Sequence, residues 1–368
     1  MVDLVPAVCD VSVTNACNAA CDFCSYARDK GIVRDHRWLD AARFADALPI
    51  LYRRGIRYVN FQGGEPLLHP AIDRLVADVH SAGMRPAMIT NGWWLPKKID
   101  RLAAMGLGTL LVSIDSHSMA AHERNRGLEG LGERIRTGVA AARRSHIPAL
   151  ACVTVNRLVD YDRLPALLAD LGFDAATFSY PRREPFGSTS LVYSPDSPLV
   201  ALSDDELIDS LDKIRAMSKK FPVMNPAASI KDIQRHVRGE QELFGCVGGH
   251  KYFYLDWNLD IWRCEAWTKP LGSVFEFDRI PDQRDRCTAC MMNCYRDTSV
   301  LMHAGIAVSD AAAAAATGRL GQAARSLLKK SVGISLQSVA QQAGNIRRLA
   351  AVRNNQQKPD RQSRPQDG

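Results

Sequence analysis

The chain has 368 residues, 24% of them charged and 46% hydrophobic, enough to bury a sizeable core and too balanced for wholesale disorder. Its net charge of +7 is unevenly spread: residues 317–368 hold ten Lys and Arg against two Asp, a surplus of +8 that leaves −1 for everything before them. A neutral body with a basic tail argues against a nucleic-acid enzyme, which carries its cations around the active site.

No apolar run is read as long enough to span a bilayer, and Met1-Val2-Asp3-Leu4 lacks the basic and apolar regions of a signal peptide. The expected location is the cytoplasm, with membrane association through the tail left open. Ten cysteines in such a setting point to metal ligation or redox chemistry, since disulfides do not persist in a reducing compartment.

In chain order, Val8–Asn15 reads as a first strand that delivers a cysteine loop. Trp38–Arg54 has helical apolar spacing and stops at Gly55. Strands are expected over Ile56–Phe61, Arg85–Thr90, Thr109–Ile114, Ala149–Val155 and Ala175–Tyr180, and helices over Ala71–Ala82, Lys97–Met105, Glu133–Ser145 and Tyr161–Leu171. Six strands alternating with helices call for a parallel sheet with right-handed crossovers and with functional residues at the strands' carboxyl ends. The expected fold is α/β, a partial (β/α)6 barrel over residues 1–180.

Residues 181–245 form a connector rich in Pro, Ser and Gly with one helix, Asp204–Met217, capped by Ser203. Arg182, Arg183 and Glu184 are the substrate-facing guess within it, with solvated loop charges as the alternative.

Three thiols within eight residues, Cys17, Cys21 and Cys24, can converge on one iron–sulfur cluster and leave one iron open to another ligand. A zinc loop or a set of buried thiols is the alternative. Gly63-Gly64-Glu65 follows the second strand, where glycines admit close backbone approach and a carboxylate can accept from an ammonium. Asn91, Ser113, Asp115, Arg126 and Asn156 stand at later strand ends, with turn or capping roles as the alternative. His69 reads as a cap or surface residue, and Cys9 and Cys152 read as core.

The C-x3-C-x2-C spacing with Phe23 before the last Cys, followed in order by Gly63-Gly64-Glu65-Pro66, Thr90-Asn91-Gly92, Ser113-Ile114-Asp115 and Arg126-Gly127, resembles the radical S-adenosylmethionine (SAM) superfamily. The resemblance implies a 4Fe-4S cluster on Cys17, Cys21 and Cys24 whose open iron is chelated by SAM. It also implies a flavodoxin- or ferredoxin-type reductant and reductive cleavage of SAM to a 5′-deoxyadenosyl radical. Phe23, Gly63, Gly64, Glu65, Asn91, Ser113, Asp115, Arg126 and Asn156 are its cofactor-binding candidates; no catalytic residue is assigned.

Cys246 and Cys264 flank a hairpin, Tyr252–Leu255 and Asp260–Arg263, and Cys287-x2-Cys290 follows. Four such thiolates saturate a cluster or a zinc ion. The pattern resembles the twitch domain, the shortened SPASM domain, which implies an auxiliary 4Fe-4S cluster within residues 246–302 on those four cysteines, with Cys294 as alternate ligand or free thiol. Residues 303–353 read as a helical basic tail that packs on the body, binds a partner or lies on an anionic membrane, and 354–368 as a disordered end. The expected activity is hydrogen abstraction from a small molecule or lipid intermediate, with oxidation through the auxiliary cluster. A peptide maturase is the alternative, disfavoured because the barrel motif begins near the first residue. A non-catalytic iron–sulfur or zinc protein is the alternative of another class.

Overall fold

In the computed structural model the described residues are 5–28, 35–181 and 197–356. Arg182, Arg183, Glu184 and the end beyond 356 lie outside them.

The elements are, in order, β1 (Ala7–Ser12), α1 (Ser25–Arg28), α2 (Ala41–Arg53), β2 (Ile56–Gln62), α3 (Ile72–Ser81), β3 (Arg85–Thr90), α4 (Leu95–Ala104), β4 (Thr109–Ile114), α5 (Met119–Arg126), α6 (Leu131–Arg144), β5 (Ala149–Thr154), α7 (Leu164–Asp170) and β6 (Ala175–Ser179). After these come α8 (Asp204–Met217), α9 (Ala227–Val237), β7 (Tyr252–Leu255), β8 (Asp260–Trp262), β9 (Gly272–Ser273), α10 (Asn293–Ala316), α11 (Leu320–Leu327) and α12 (Lys330–Gln356). All six expected barrel strands form, each within a few residues of its expected bounds.

One nine-stranded sheet runs β6-β5-β4-β3-β2-β1-β7-β8-β9. It is parallel from β6 through β7 and antiparallel beyond. The α/β partial barrel expected from the alternation is therefore present, and it gains a seventh parallel strand. The hairpin read as part of a separate module is joined to the barrel edge, because β7 pairs Val8–Val11 of β1 with Tyr252–Leu255. All four residues of β7 are buried, the pattern of a strand covered on both faces.

On β1, Ala7, Cys9 and Val11 face the helices and join the main core, whereas Asp10 and Ser12 take the other face. On β4 the residues Leu110, Val112 and Ile114 are buried, and Leu111 and Ser113 stand half-buried toward the barrel interior. The same alternation on β5 turns Cys152 to the half-buried face, so Cys152 is not the core thiol expected, while Cys9 is. His69 is a buried cap: Ala71 N–H donates to its Nδ1 at 3.2 Å, and its Nε2 lies 2.9 Å from the Leu39 carbonyl.

Ser203 caps α8 in a reciprocal capping box with Glu206. Helix α9 was not anticipated, although Ile230, Ile233 and Val237 repeat at helical spacing; Pro226 supplies no side-chain cap to mark its start. Helix α10 is, by length and composition, long and apolar enough to cross a membrane, contrary to the reading of the bare sequence. Its buried residues, among them Tyr295, Ser299, Val300 and Ala304, pack in this fold. Helix α12 runs unbroken through Gly333 and Gly344.

Candidate functional site: the cysteine mouth and the second cysteine group

Strand β1 hands the chain to the cysteine loop at the carboxyl end of the sheet, and three attachments fix that loop. The first is the Gly-Gly-Glu turn after β2: Gly64 N–H donates to the Thr14 carbonyl and Glu65 N–H to the Ala16 carbonyl, both at 2.8 Å. The two backbones are so close that a Cβ on Gly63 would stand 2.3 Å from the Thr14 oxygen, and one on Gly64 2.2 Å from the Ala16 oxygen. Only glycine fits.

The second attachment is α5, which the sequence reading missed. Ala20 N–H donates to the Arg126 carbonyl at 2.8 Å and Asp22 N–H to Asn125 Oδ1 at 3.4 Å. The polar segment MAAHERNR presents no apolar stripe, so a search by periodicity passes over it; Gly127, left-handed at φ +62°, closes it as a C-cap. Third, Asn91 Nδ2 donates to Asn18 Oδ1 at 2.9 Å.

Arg126 and Asp115 form a buried bidentate pair, Nε to Oδ2 at 2.8 Å and Nη2 to Oδ1 at 2.6 Å. Asn125 Nδ2 adds a third bond to Oδ2 at 2.9 Å. Burial by itself would raise the Asp115 carboxyl, but the charge and hydrogen bonds of Arg126 together with those of His122, whose Nδ1 lies 3.5 Å from Oδ2, outweigh it and hold the group below the usual carboxylate range. Arg126 in turn carries its charge toward Cys17, Cys21 and Cys24. Burial pushes the Cys17 thiol up to about 12, with the Glu65 charge adding to it, and also raises Cys21 and Cys24.

Glu65 is fully buried. Its Oε1 accepts from Leu67 N–H at 2.9 Å and Thr90 Oγ1 at 2.7 Å, and its Oε2 from Asn91 N–H at 2.7 Å. The carboxylate thus ties the β2 turn to the end of β3. Asn156 Nδ2 donates to the carbonyls of Asp115 at 3.0 Å and Thr154 at 2.8 Å, holding β4 to β5. Ser113 faces the interior between them, and Asn91 Oδ1 accepts from Trp93 N–H at 2.9 Å.

Phe23 leaves the cysteine loop and packs with Val200, Val247, Tyr252, Met292 and Tyr295, an apolar cluster that Cys246, Cys264, Cys290 and Cys294 also touch. The two cysteine groups therefore share one wall. Cys246 N–H donates to the Cys287 carbonyl at 3.0 Å, and Arg296 Nε to the Cys290 carbonyl at 2.9 Å. Arg263 pairs with Asp285, beside Cys287. Cys246 feels the charges of Cys290 and Cys287, and Cys264 those of Cys290 and Cys246. Cys294 differs: half-buried against the same cluster, its thiol is raised by desolvation first and then by the charges of Asp10, Glu265 and Asp297.

Those carboxylates mark an interior face that sequence reasoning did not single out. Asp10 accepts from Asn60 Nδ2 at 2.7 Å and Tyr252 Oη at 2.9 Å, and burial raises it to about 6. Gln62 Nε2 bonds Glu265. Asp297 accepts from Asn225 at 2.7 Å, and burial raises it to about 7. The alternation Cys9-Asp10-Val11-Ser12 within a strand was the available signal for Asp10.

The donor set fits a cluster and SAM at the mouth: three neighbouring thiols, a buried guanidinium beside them, and Asn18 Nδ2 as a buried donor without an acceptor. Among the described residues, no three His, Cys, Asp or Glu side chains stand as a group that could hold a single metal ion.

Residues 11–171 match the family model of the Radical SAM superfamily. The GTP 3',8-cyclase of Mycobacterium sp. (strain KMS) is 36% identical over 155 residues, 41% of this chain and 43% of that protein. The matched stretch thus spans less than half the length of this curated relative. Among solved structures, SuiB of Streptococcus suis bound to its precursor peptide SuiA is similar with a TM-score of 0.53 at 13% identity, over 78% of this chain and 64% of that one. HydG, a maturase of the FeFe-hydrogenase, is similar with a TM-score of 0.52 at 14% identity, over 95% and 83%. At these identities the structures speak for the fold alone; the radical SAM match is that of residues 11–171 to the family model, and the α/β fold over them agrees with it.

Proposed function

We propose that this chain is a radical SAM enzyme that oxidises an organic substrate held between the cysteine mouth and the second cysteine group. When bound, a SAM-ligated 4Fe-4S cluster supplies the electron that cleaves SAM and the 5′-deoxyadenosyl radical that takes a hydrogen atom from carbon. Cys17, Cys21 and Cys24 would hold that cluster. Arg126, fixed by Asp115, keeps a positive charge beside the ligating sulfurs, and the Gly63-Gly64 turn holds the Thr14–Ala16 backbone that leads into the cysteine loop. Cys246, Cys264, Cys287 and Cys290 would hold an auxiliary 4Fe-4S cluster, which supplies a second-electron acceptor.

The observation that carries the reading is that Phe23, from the first cysteine loop, packs with Tyr252 and Tyr295 in the cluster that Cys246, Cys264, Cys290 and Cys294 touch. The match to the GTP 3',8-cyclase covers only 43% of that protein, so the GTP in its name is not carried over; the interior face here holds Asp10, Glu265 and Asp297. A small molecule or lipid intermediate with donor groups suits them. SuiB was solved with a precursor peptide, and a peptide substrate is the alternative within this reading.

The test is iron, sulfide and zinc per chain after anaerobic reconstitution, together with 5′-deoxyadenosine formed from SAM and dithionite. Parent protein and a Cys17→Ala, Cys21→Ala, Cys24→Ala variant are compared. About eight irons falling to about four, with deoxyadenosine formed only by the parent, supports the proposal. Zinc retained in place of four irons removes the auxiliary acceptor. No deoxyadenosine from the reconstituted parent leaves an electron carrier or scaffold. Mass loss of two hydrogens from a peptide encoded beside this chain would instead assign a peptide substrate.

A further inference from the structure

Helix α12 is amphipathic in an unusual sense, because apart from Val332 its large apolar side chains are not the ones it seals. The residues sealed against α10 and the barrel are Val332, Ser335, Ser338 and Gln342. Ser335 Oγ donates to the Val300 carbonyl at 2.6 Å and accepts from Ala304 N–H at 3.0 Å. His303 bonds Ser331 at 2.8 Å, and Asn345 Nδ2 donates to the Val223 carbonyl at 3.2 Å. These bonds fix the rotation of the helix. A roll that buried the exposed leucines would break all of them and leave their buried donors unpaired.

The apolar side consequently faces out. Leu320 is 68% exposed, Leu328 83%, Leu336 57% and Ile346 57%, and Leu327 and Val339 are also exposed. At about 100° per residue, Leu336, Val339 and Ile346 fall within roughly 80° of arc on α12, an arc that borders Ser335 and Ser338; Val332, near the helix start, is the residue of this arc that is buried. Helix α11 buries none of its residues. The expectation that this stripe packs on the body is therefore not met: the buried contacts of α12 are made mostly by small and polar side chains.

The cations decide what covers such a face. Residues 317–356 contain seven Lys and Arg and no Asp or Glu. Arg325, Lys329, Lys330 and Arg347 are exposed on the elements that carry the apolar side chains. A second copy of this surface would bring like charge against like charge across a two-fold axis. An anionic headgroup layer over acyl chains satisfies both halves, as it does for interfacial helices with a basic flank.

We propose that α11 and α12 form a membrane-contact surface on which this protein lies flat against an anionic lipid bilayer. The leucines enter the headgroup boundary and the basic side chains stay at its level, snorkelling to the phosphates. Vesicle binding does not depend on cluster content, so it stands or falls apart from the proposed radical chemistry.

The experiment is co-sedimentation of the full chain with phosphatidylcholine vesicles, with and without phosphatidylglycerol. The variants are Leu328→Glu with Leu336→Glu, and Lys329→Gln with Lys330→Gln and Arg347→Gln. All five positions are exposed, and thermal melting verifies that the variants fold. The expected result is binding to the anionic vesicles only, weakened at about 1 M salt, where screening acts within about 3 Å. The triple charge variant should bind about a hundred-fold more weakly, at the usual strength of one basic side chain near an anionic surface, and the Glu variant should not bind. Absence of binding by the intact chain overturns the proposal, as does equal binding to both vesicle types. A lipid-free dimer that the Glu variant dissociates also overturns it, since a second copy would then cover the face.

Discussion

Replacing Asp115 by Asn keeps the shape of the side chain and removes its charge, leaving Arg126 with 8% of its surface exposed and no anion across from its fork. Removing one partner of a buried pair costs about 3–5 kcal/mol, because the remaining charge stays desolvated. With an unfolding entropy of about 2.1 cal/mol/K per residue over 368 residues, that loss lowers Tm by about 4–6 °C. A second consequence is electrostatic. Arg126 without Asp115 acts with its whole charge on Cys17, Cys21 and Cys24, whose thiols burial has raised, so they ionise more readily and alkylate faster at a given pH. The assay is thermal melting plus iodoacetamide labelling of the metal-free protein, for Asp115→Asn and for the double variant Asp115→Asn, Arg126→Met. The double variant should recover part of the stability, since no charge remains buried. A single variant melting within about 1 °C of the parent, or a double variant as unstable as the single one with unchanged labelling, would refute the role given to this pair.

Gly64→Ala should block assembly of the mouth: its Cβ meets the Ala16 backbone oxygen at 2.2 Å and carbon at 2.7 Å, so iron incorporation should be lost together with several degrees of Tm. Glu65→Gln replaces an acceptor of three bonds with a group that must point a donor at one of those donors. A loss of about 1–3 kcal/mol in chemical denaturation is expected, and an unchanged midpoint would contradict the tie between β2 and β3. Asp297, raised by burial from an ordinary 3.8 to about 7, binds its proton more tightly folded than unfolded. Its contribution is therefore full below about pH 4 and is lost as pH rises toward 7. Asp297→Asn should flatten that part of the stability profile measured between pH 4 and 8, and a profile unchanged by the substitution would place the titration elsewhere.

Much of this was written in local sequence. The six barrel strands came from alternation and from Gly and Pro punctuation, since a strand between helices must be apolar and short. The cysteine spacing with its downstream motifs singled out the loop that the fold places after β1 at the sheet's carboxyl end, because three thiols that close together have few other uses. Helix α8 was legible from Ser203 and Glu206, whose bonds span only three residues.

Long-range structure decided the remainder. Glu65 and Arg126 were read as ligand contacts, yet the partners that occupy them, Thr90, Asn91 and Asp115, come from other strand ends. Helix α5 escaped notice because what it contributes is a backbone carbonyl and an Asn to the cysteine loop, over a hundred residues away in sequence, and no apolar face. The hairpin proved to be an edge of the barrel because a parallel pairing of β1 with β7 joins residues about 240 apart, which no local pattern encodes. The tail shows the division most plainly. Its sequence determined an apolar stripe and a surplus of cations, but which side of α12 is buried was decided by serine bonds to a neighbouring helix, and those turned the stripe outward.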